Sequence, residues 1–242
     1  KGWAYTLSAS RRWAQEGYVP GTFYDGWSYF ASAEKIFNKS HSLAFTMFGA
    51  PTKSGSQAGT VKELQDLAGT NYYNPYWGYQ SGEVRNSRVN KSHQPTFILT
   101  HEYSPSNKLN IMTAASFTAG IRKSSALDWY NVSDPRPDYY RNMPSYIEND
   151  YYRNLLIDRI KADPSLIQVN WDRMYNVNQN NTETIANVNG IAGNDVTGKR
   201  SRYIIEQRVT KLQRINLNSV VNATIDDHLN FSGGISYQFQ KN

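Results

Sequence analysis

Histidine and cysteine, the side chains that most often act as nucleophiles or metal ligands, are scarce in this sequence. It has no cysteine, which excludes disulfides, thiol catalysis and cysteine-bound metals. The four histidines are dispersed along the chain, at His41, His93, His101 and His228. His101 precedes Glu102, but adjacent residues of a strand point to opposite faces, so the two do not form an acid–base pair. We expect surface histidines and no metal site.

Two carboxylates are spaced in a way that could serve acid–base catalysis. Asp134 and Asp138 bracket a Pro-Arg-Pro turn. A rigid loop held by Arg136 and the prolines accounts for this pattern better than hydrolysis does. Because no acid, base and nucleophile converge elsewhere, the sequence predicts neither an enzyme nor a bound cofactor.

Aromatic side chains are the group with most promise for binding, because they make up 14% of the sequence and gather in two segments. The candidates are Tyr72, Tyr73, Tyr76, Trp77 and Tyr79 in one segment, and Trp129, Tyr130, Tyr139 and Tyr140 in the other. Such side chains offer a large contact area with a polar tip, which suits stacking on sugars, macrocycles or a partner protein. Alternatively they pack the loops against one another, and the two roles can coexist.

The elements that must position these segments are β-strands with one apolar and one polar face. Apolar residues alternate with polar ones over residues 109–119, 215–225 and 229–239. Each stripe covers eleven residues, which matches the ~9–11 residues that a tilted strand needs to cross a membrane. On the opposite face are polar side chains that would line the lumen of a barrel, among them Asn216, Asn218, Asn222, Ser232 and Ser236.

Seven strands are predicted in all, over residues 2–13, 24–36, 41–49, 92–104, 108–122, 201–225 and 228–240. Short links alternate strictly with long ones, and the two longest loops span residues 50–91 and 123–200. In an up-and-down meander this order places every long loop at one rim, as in outer-membrane barrels with long extracellular loops. A β-sandwich has no reason to sort its loops by length. The sequence therefore predicts an all-β, antiparallel transmembrane barrel.

The long loops are predicted to carry short helices. Thr60-Val61-Lys62-Glu63 has the pattern of a capping box, and Gly69 could end the helix that follows. A second helix is predicted over residues 148–163. The asparagine-rich run over residues 176–194 has neither a helical nor a strand period and is predicted to be a loop.

Hydropathy and charge narrow the choice of partners. No stretch approaches the ~18–20 apolar residues of a spanning helix, and a mean hydropathy of −0.67 remains compatible with a barrel whose loops are polar. The net charge is +6, but the basic residues are dispersed, so no nucleic-acid partner is predicted. Arg85, Arg88 and Lys91, near the outer rim, could instead meet the anionic groups of lipopolysaccharide.

Several strings together resemble the early barrel strands of TonB-dependent outer-membrane receptors. They are residues 11–18 (RRWAQEGY), 41–51 (HSLAFTMFGAP), 72–79 (YYNPYWGY), 85–88 (RNSR) and 134–140 (DPRPDYY). The likeness extends from about residue 2 to about residue 175. It implies a 22-stranded barrel in the outer membrane of a Gram-negative bacterium, plugged by an N-terminal globular domain.

The same resemblance implies import of a scarce nutrient with energy relayed by TonB. The partners it implies are TonB, through a plug segment that this chain does not contain, and a surface lipoprotein. Seven strands are too few for such a barrel, so we expect these residues to be a contiguous piece of a longer receptor. The alternative function is a soluble, secreted β-rich domain that binds glycans through its aromatic loops.

Overall fold

The computed structural model describes residues 2–241, which form thirteen strands and three α-helices. The first strands and helix are β1 (Trp3–Ala14), β2 (Tyr24–Ile36), β3 (His41–Gly49), β4 (Thr52–Gly55), α1 (Lys62–Ala68), β5 (Trp77–Gln80), β6 (Glu83–Asn86) and β7 (Val89–His93). These are followed by β8 (Thr96–Ser106), β9 (Leu109–Trp129), α2 (Asp150–Ala162), α3 (Trp171–Asn180), β10 (Thr182–Ile185), β11 (Val196–Lys199), β12 (Tyr203–Thr224) and β13 (Asn230–Lys241). One-turn 3-10 helices lie at Tyr140–Asn142, Pro144–Tyr146, Pro164–Ile167 and Val188–Gly190.

The main sheet contains nine strands. Two pairs of them, β3 with β4 and β7 with β8, are each one strand with an interruption, so the sheet is an antiparallel meander of seven strands. Strand β2 pairs with β3 and then with β4 in one register: Tyr29 faces Gly49, and Tyr24 faces Ser54. Strand β9 pairs in the same way with β8 and then β7. The interruptions fall at Pro51 and Pro95, where proline removes the backbone N–H that the ladder needs.

The order across the sheet is therefore β1, β2, β3 with β4, β8 with β7, β9, β12 and β13, each next to its neighbour in the chain. The connections alternate between long and short, as predicted. Within residues 2–241, β1 pairs only with β2 and β13 only with β12, so the sheet stays open. The structure thus shows an antiparallel β fold, and neither barrel closure nor a count of 22 strands.

The structure differs from the predicted strands in three places. The strand at 41–49 continues as β4 into the predicted loop 50–91. The strand predicted at 92–104 begins at Val89 and is broken before Thr96, and the strand predicted at 108–122 extends to Trp129, which shortens the predicted loop 123–200. The physical reason is that lysines occupy positions 53, 91 and 123, where the period-two pattern calls for apolar side chains.

Register places the apolar positions of all seven strands on one side of the sheet, which we call the apolar face. One row of directly opposed residues consists of Tyr5, Ala33, Phe45, Leu99, Ala115, Leu217 and Tyr237. The lower part of this face has no covering layer within the described chain: Leu7 is 81% exposed, Ile235 76% and Leu217 48%. The other side is the polar face.

The hydrophobic core lies among the loops at one end of the sheet, in a part that we call the loop layer (residues 56–88 and 130–202). One cluster joins Leu64, Tyr73, Met143, Ile160 and Ile167. A second cluster joins Val169, Trp171, Met174 and Tyr203, with Leu127 and Trp129 packed against it. Tyr203 and Trp129 face each other across β12 and β9 on the apolar face, so the loops cover the upper part of that face.

Two predictions about the loops were wrong in detail. Helix α1 ends at Gly69 as expected, but its N-cap is Val61 without a side-chain hydrogen bond, and Glu63 accepts hydrogen bonds from Ser145 instead. Residues 176–194 are also not a plain loop, since they include the end of α3 and strand β10. There the Asn178 side chain bonds the backbone of Arg202 and Tyr203 and ties α3 to β12.

The helix predicted over residues 148–163 is confirmed as α2. The Asn149 side chain caps it by accepting from the backbone N–H groups of Tyr151 and Tyr152, and Pro164 follows its end. None of the three helices in residues 2–241 is long and apolar enough to cross a membrane.

Candidate functional site

The first aromatic cluster supplies two core residues of the loop layer. Tyr73 and Trp77 are both 8% exposed. The Tyr73 hydroxyl donates a hydrogen bond of 2.6 Å to the carbonyl of Ile167, and the Val169 N–H donates one of 2.9 Å to the carbonyl of Trp77. Burial raises the pKa of Tyr73 above its ordinary value, and the charge of Asp138 raises it further. These two aromatics pack the loops together.

The remaining members of the first cluster are more accessible. Tyr72 is 57% exposed and Tyr79 is 47% exposed. Tyr76 is half-buried, and the Arg88 guanidinium lies over its ring, 5.3 Å from the centroid. Of this cluster, therefore, Tyr72 and Tyr79 offer free aromatic surface to a ligand.

The second aromatic cluster surrounds the Asp134–Arg136 pair. The Arg136 Nε–Asp134 Oδ1 distance is 2.9 Å, and the guanidinium lies 5.1 Å from the ring of Trp129, which is half-buried. The hydrogen bond that Arg136 donates to the Asp134 carboxylate raises the pKa of Arg136. This geometry supports a rigid turn held by Arg136, the structural interpretation of the two aspartates.

Tyr130, Tyr139 and Tyr140 complete the second cluster. Tyr139 and Tyr140 are in edge-to-face contact at 4.8 Å, and Arg141 donates a hydrogen bond of 2.9 Å to the Tyr140 hydroxyl. That hydrogen bond lowers the pKa of Tyr140. Tyr130 is 50% exposed beside two arginines, with Arg200 4.9 Å from its ring. The exposed aromatics here are thus each in contact with a guanidinium.

Next to this cluster is a cavity of about 480 Å³ between residues 133–142, helix α2 and helix α3. Its apolar floor includes Ile160, Ile167 and Met174. Its lining holds four arginines and one aspartate, namely Arg136, Arg141, Arg159, Arg173 and Asp134. Within the described residues, no carboxylate lies within ion-pair distance of Arg159 or Arg173.

This arginine cavity suits a small molecule with an anionic group and an apolar part, since guanidinium groups bind carboxylate and phosphate well. Sequence reasoning missed it. The arginines are separated by up to 37 positions and carry no motif, so only the packing of α2 against α3 and the 133–142 segment brings them together. Periodicity did not predict α3 and could not supply that contact.

The predicted lumen-facing residues all lie on the polar face and are linked across strands. Ser232 donates to Asn222 at 2.7 Å, and Ser236 donates to Asn218 at 2.6 Å, between β13 and β12. Asn216 donates to Ser116 at 3.0 Å, between β12 and β9. Small polar side chains thus satisfy one another laterally, which leaves this face able to contact water or another polar surface.

Two of the dispersed histidines come together in the sheet. His41 Nδ1 and His101 Nε2 are 3.1 Å apart on β3 and β8, and the rings are stacked. His93 Nε2 lies 3.0 Å from the Tyr29 hydroxyl. Within residues 2–241, no group of three or more His, Cys, Asp or Glu residues is placed to hold a metal ion.

Comparison with known proteins gives a structural likeness only. No protein-family model matches the sequence, and no curated protein matches it either. The fold is similar to that of the ferric-catecholate import receptor Fiu from E. coli K12 in its open form, with a TM-score of 0.57 and 8% sequence identity. The match covers 99% of this chain and 30% of that receptor. At this identity, the likeness shows a common β fold.

Proposed function

We propose that this chain forms part of the barrel and extracellular loops of a TonB-dependent outer-membrane transporter. Such a protein binds a scarce nutrient at the cell surface and imports it with energy relayed by TonB, without covalent catalysis. The similarity of the β fold to that of a ferric-catecholate import receptor supports this proposal. The chain spans 30% of that receptor, which fits a piece of a larger barrel.

The observation that carries the proposal is the bare apolar face. Seven apolar stripes meet in register. Large apolar side chains remain exposed on strands across the lower sheet, among them Leu7, Phe45, Leu99, Leu217 and Ile235. Monomeric soluble proteins seldom expose an apolar patch of more than a few hundred Å². Strands that cross a bilayer have one face of this type toward lipid and a polar face toward the lumen.

The loop layer supplies the surface that would receive a nutrient. The arginine cavity and the exposed rings of Tyr72, Tyr79, Tyr130 and Tyr140 lie in that layer. The polar face, with Asn216, Asn218, Asn222, Ser232 and Ser236, faces the lumen or the plug. In this proposal the other partners are a surface lipoprotein, TonB through a plug segment, and the outer-membrane lipid. Nucleic acid is not a partner.

The test uses spin labels on both faces of β12 in outer membranes that contain the full chain. Labels at Leu217 and Val221 should be relaxed strongly by oxygen, which concentrates in the hydrocarbon. The matched labels at Asn218 and Asn222, one residue further along the same strand, should respond to a water-soluble nickel chelate. Equal water exposure on both faces would contradict the proposal.

The alternative, a soluble glycan-binding domain, predicts a different outcome. In that case the apolar face must be buried against protein, so labels at Leu217 and Val221 would be shielded from oxygen and nickel chelate alike. The protein would also remain in solution at high concentration without detergent. No layer of the described residues covers the lower apolar face, which favours the membrane proposal.

A further inference from the structure

A row of three lysines crosses the apolar face where its bare lower part meets the loop layer. Lys53 on β4 faces Lys91 on β7, and Lys91 faces Lys123 on β9. These directly opposed residues lie on one side of the sheet, so three lysine side chains extend from adjacent strands on the same face. The Lys53 ammonium lies over the ring of Phe23, 5.4 Å from its centroid. We call these three residues the lysine row.

No described carboxylate forms an ion pair with the lysine row. Asp25 is directly opposite Lys53 on the neighbouring strand β2, but its carboxylate accepts a hydrogen bond of 3.1 Å from Arg11. Like charges in directly opposed positions destabilise a sheet, so an anion bound across the row would relieve this repulsion.

The surface at the row is concave and amphipathic. A cavity of about 350 Å³ is lined by all three lysines, by Trp27, Pro51 and Ile121, and by Asp25, whose carboxylate is paired with Arg11. The apolar lining residues lie one row further toward the bare lower part of the apolar face. In that row Ile121 faces His93. A ligand here would place an anionic group on the lysines and an apolar part along the face below.

We infer that the lysine row binds the phosphorylated headgroup of a lipid in the outer leaflet, of the lipopolysaccharide type. This inference rests on the membrane orientation proposed above, because it needs lipid against the bare apolar face. The bare face accommodates the acyl chains, and the row lies at its loop-side edge, where the headgroups begin. A phosphate with two negative charges matches three lysines better than a carboxylate does.

The structure places the three basic residues that we expected to meet lipopolysaccharide in different surroundings. Of Arg85, Arg88 and Lys91, only Lys91 lies on this face. Arg85 stacks on Trp171 with its guanidinium 4.1 Å from the ring and donates to Tyr175, and Arg88 lies over Tyr76. Both arginines are used within the loop layer.

The test is a charge-matched pair of triple variants of the full chain, purified from outer membranes. K53S/K91S/K123S removes the lysine row. K39S/K108S/K161S removes the same number of positive charges elsewhere, two from the short links between strands and one from α2. The probe is lipid A with both phosphates, titrated in detergent micelles. Its affinity should fall on the order of a hundredfold in the first variant, because each lysine near an anionic headgroup contributes roughly fivefold. The second variant should bind as the unmodified protein does.

Two further arms separate the possible sources of phosphate. Lipid A stripped of its phosphates should bind the unmodified protein as weakly as intact lipid A binds K53S/K91S/K123S. Inorganic phosphate should not compete at millimolar concentration. Competition by inorganic phosphate, or equal loss in both triple variants, would overturn the inference. If the triple variant does not fold, K91S alone should show a loss of about fivefold.

The experiments distinguish failure of the lipid-headgroup inference from failure of the proposed membrane function. If labels at Leu217 and Val221 report lipid while lipid A binds K53S/K91S/K123S normally, the inference fails and the membrane proposal stands. If those labels report no lipid in the unmodified protein, both fail.

Discussion

Tyr73 joins the first aromatic cluster to the helical part of the loop layer through one buried hydrogen bond. Its hydroxyl donates to the carbonyl of Ile167, which is 5% exposed, and its ring lies among Leu64, Met143 and Ile160. The same burial that excludes Tyr73 from ligand contact raises its pKa. Tyr73, predicted as a binding residue, is therefore better explained as a residue that stabilises the loop layer.

The Tyr73→Phe variant should lower the stability of the loop layer by about 1–3 kcal/mol, because the Ile167 carbonyl loses its buried donor. The phenol pKa is higher in the folded state than its unfolded value of about 10. The neutral form is favoured on folding, so this stabilisation is complete below that value and is lost as the pH rises beyond it. Tyr73→Phe should remove this alkaline loss.

Hydrogen-exchange mass spectrometry of the peptide covering α2, recorded across alkaline pH, measures both effects. Tyr151→Phe is the matched control, since Tyr151 is 71% exposed. Identical exchange in the two variants would show that the Tyr73 hydrogen bond does not stabilise the loops.

At the scale of elements, the two interrupted strands keep the meander in register around their prolines. Opposite the second interruption lies Gly120 on β9. A Cβ at this position would lie 2.2 Å from the His93 carbonyl oxygen and 2.6 Å from the Gln94 Cα. Both contacts are with backbone, which cannot move without shifting β7. The close approach of the two strands therefore requires glycine here.

Gly120→Ala should destabilise the sheet by about 1–3 kcal/mol through overpacking. Urea unfolding of the detergent-solubilised protein measures the change. The control is Gly198→Ala on β11, where a new Cβ meets nothing within 4 Å. If the two variants unfold at the same urea concentration, the strands do not need their close approach at Gly120.

At the scale of the whole molecule, one face of the sheet serves three environments. Loops cover its upper part, the lysine row crosses it, and its lower part is bare. Ile205 and Leu217 lie on this face of the same strand and are similarly exposed, at 41% and 48%. Ile205 faces Leu127 beside the loop layer and Leu217 faces Ala115 in the bare part, so in a membrane only Leu217 lies within the hydrocarbon.

Leu217→Lys should therefore reduce stability in lipid vesicles by about 2–4 kcal/mol, and Ile205→Lys by about 0–1 kcal/mol, because the cost of a lipid-facing charge depends on depth. Unfolding in urea from vesicles measures both values. Equal effects of the two substitutions would argue that neither position contacts the hydrocarbon.

The sequence by itself determined the strand pattern. Alternation at residues 109–119, 215–225 and 229–239 is a local property, because each strand side chain points opposite to its neighbour. The same alternation predicted the order of long and short links, and it predicted that residues such as Asn218 and Ser236 lie on the polar face. The helix over residues 148–163 was also within reach, since its N-cap and following proline are local as well.

Only the tertiary structure decided what these pieces do together. The lysine row, the His41–His101 pair and the arginine cavity each join residues that are distant in sequence, and no motif marks them. Whether Tyr73 or Tyr72 is buried likewise depends on packing against Ile167, which no pattern in their own segment encodes. Periodicity assigns each side chain to a face, but the contacts between loops come from how the chain folds back on itself.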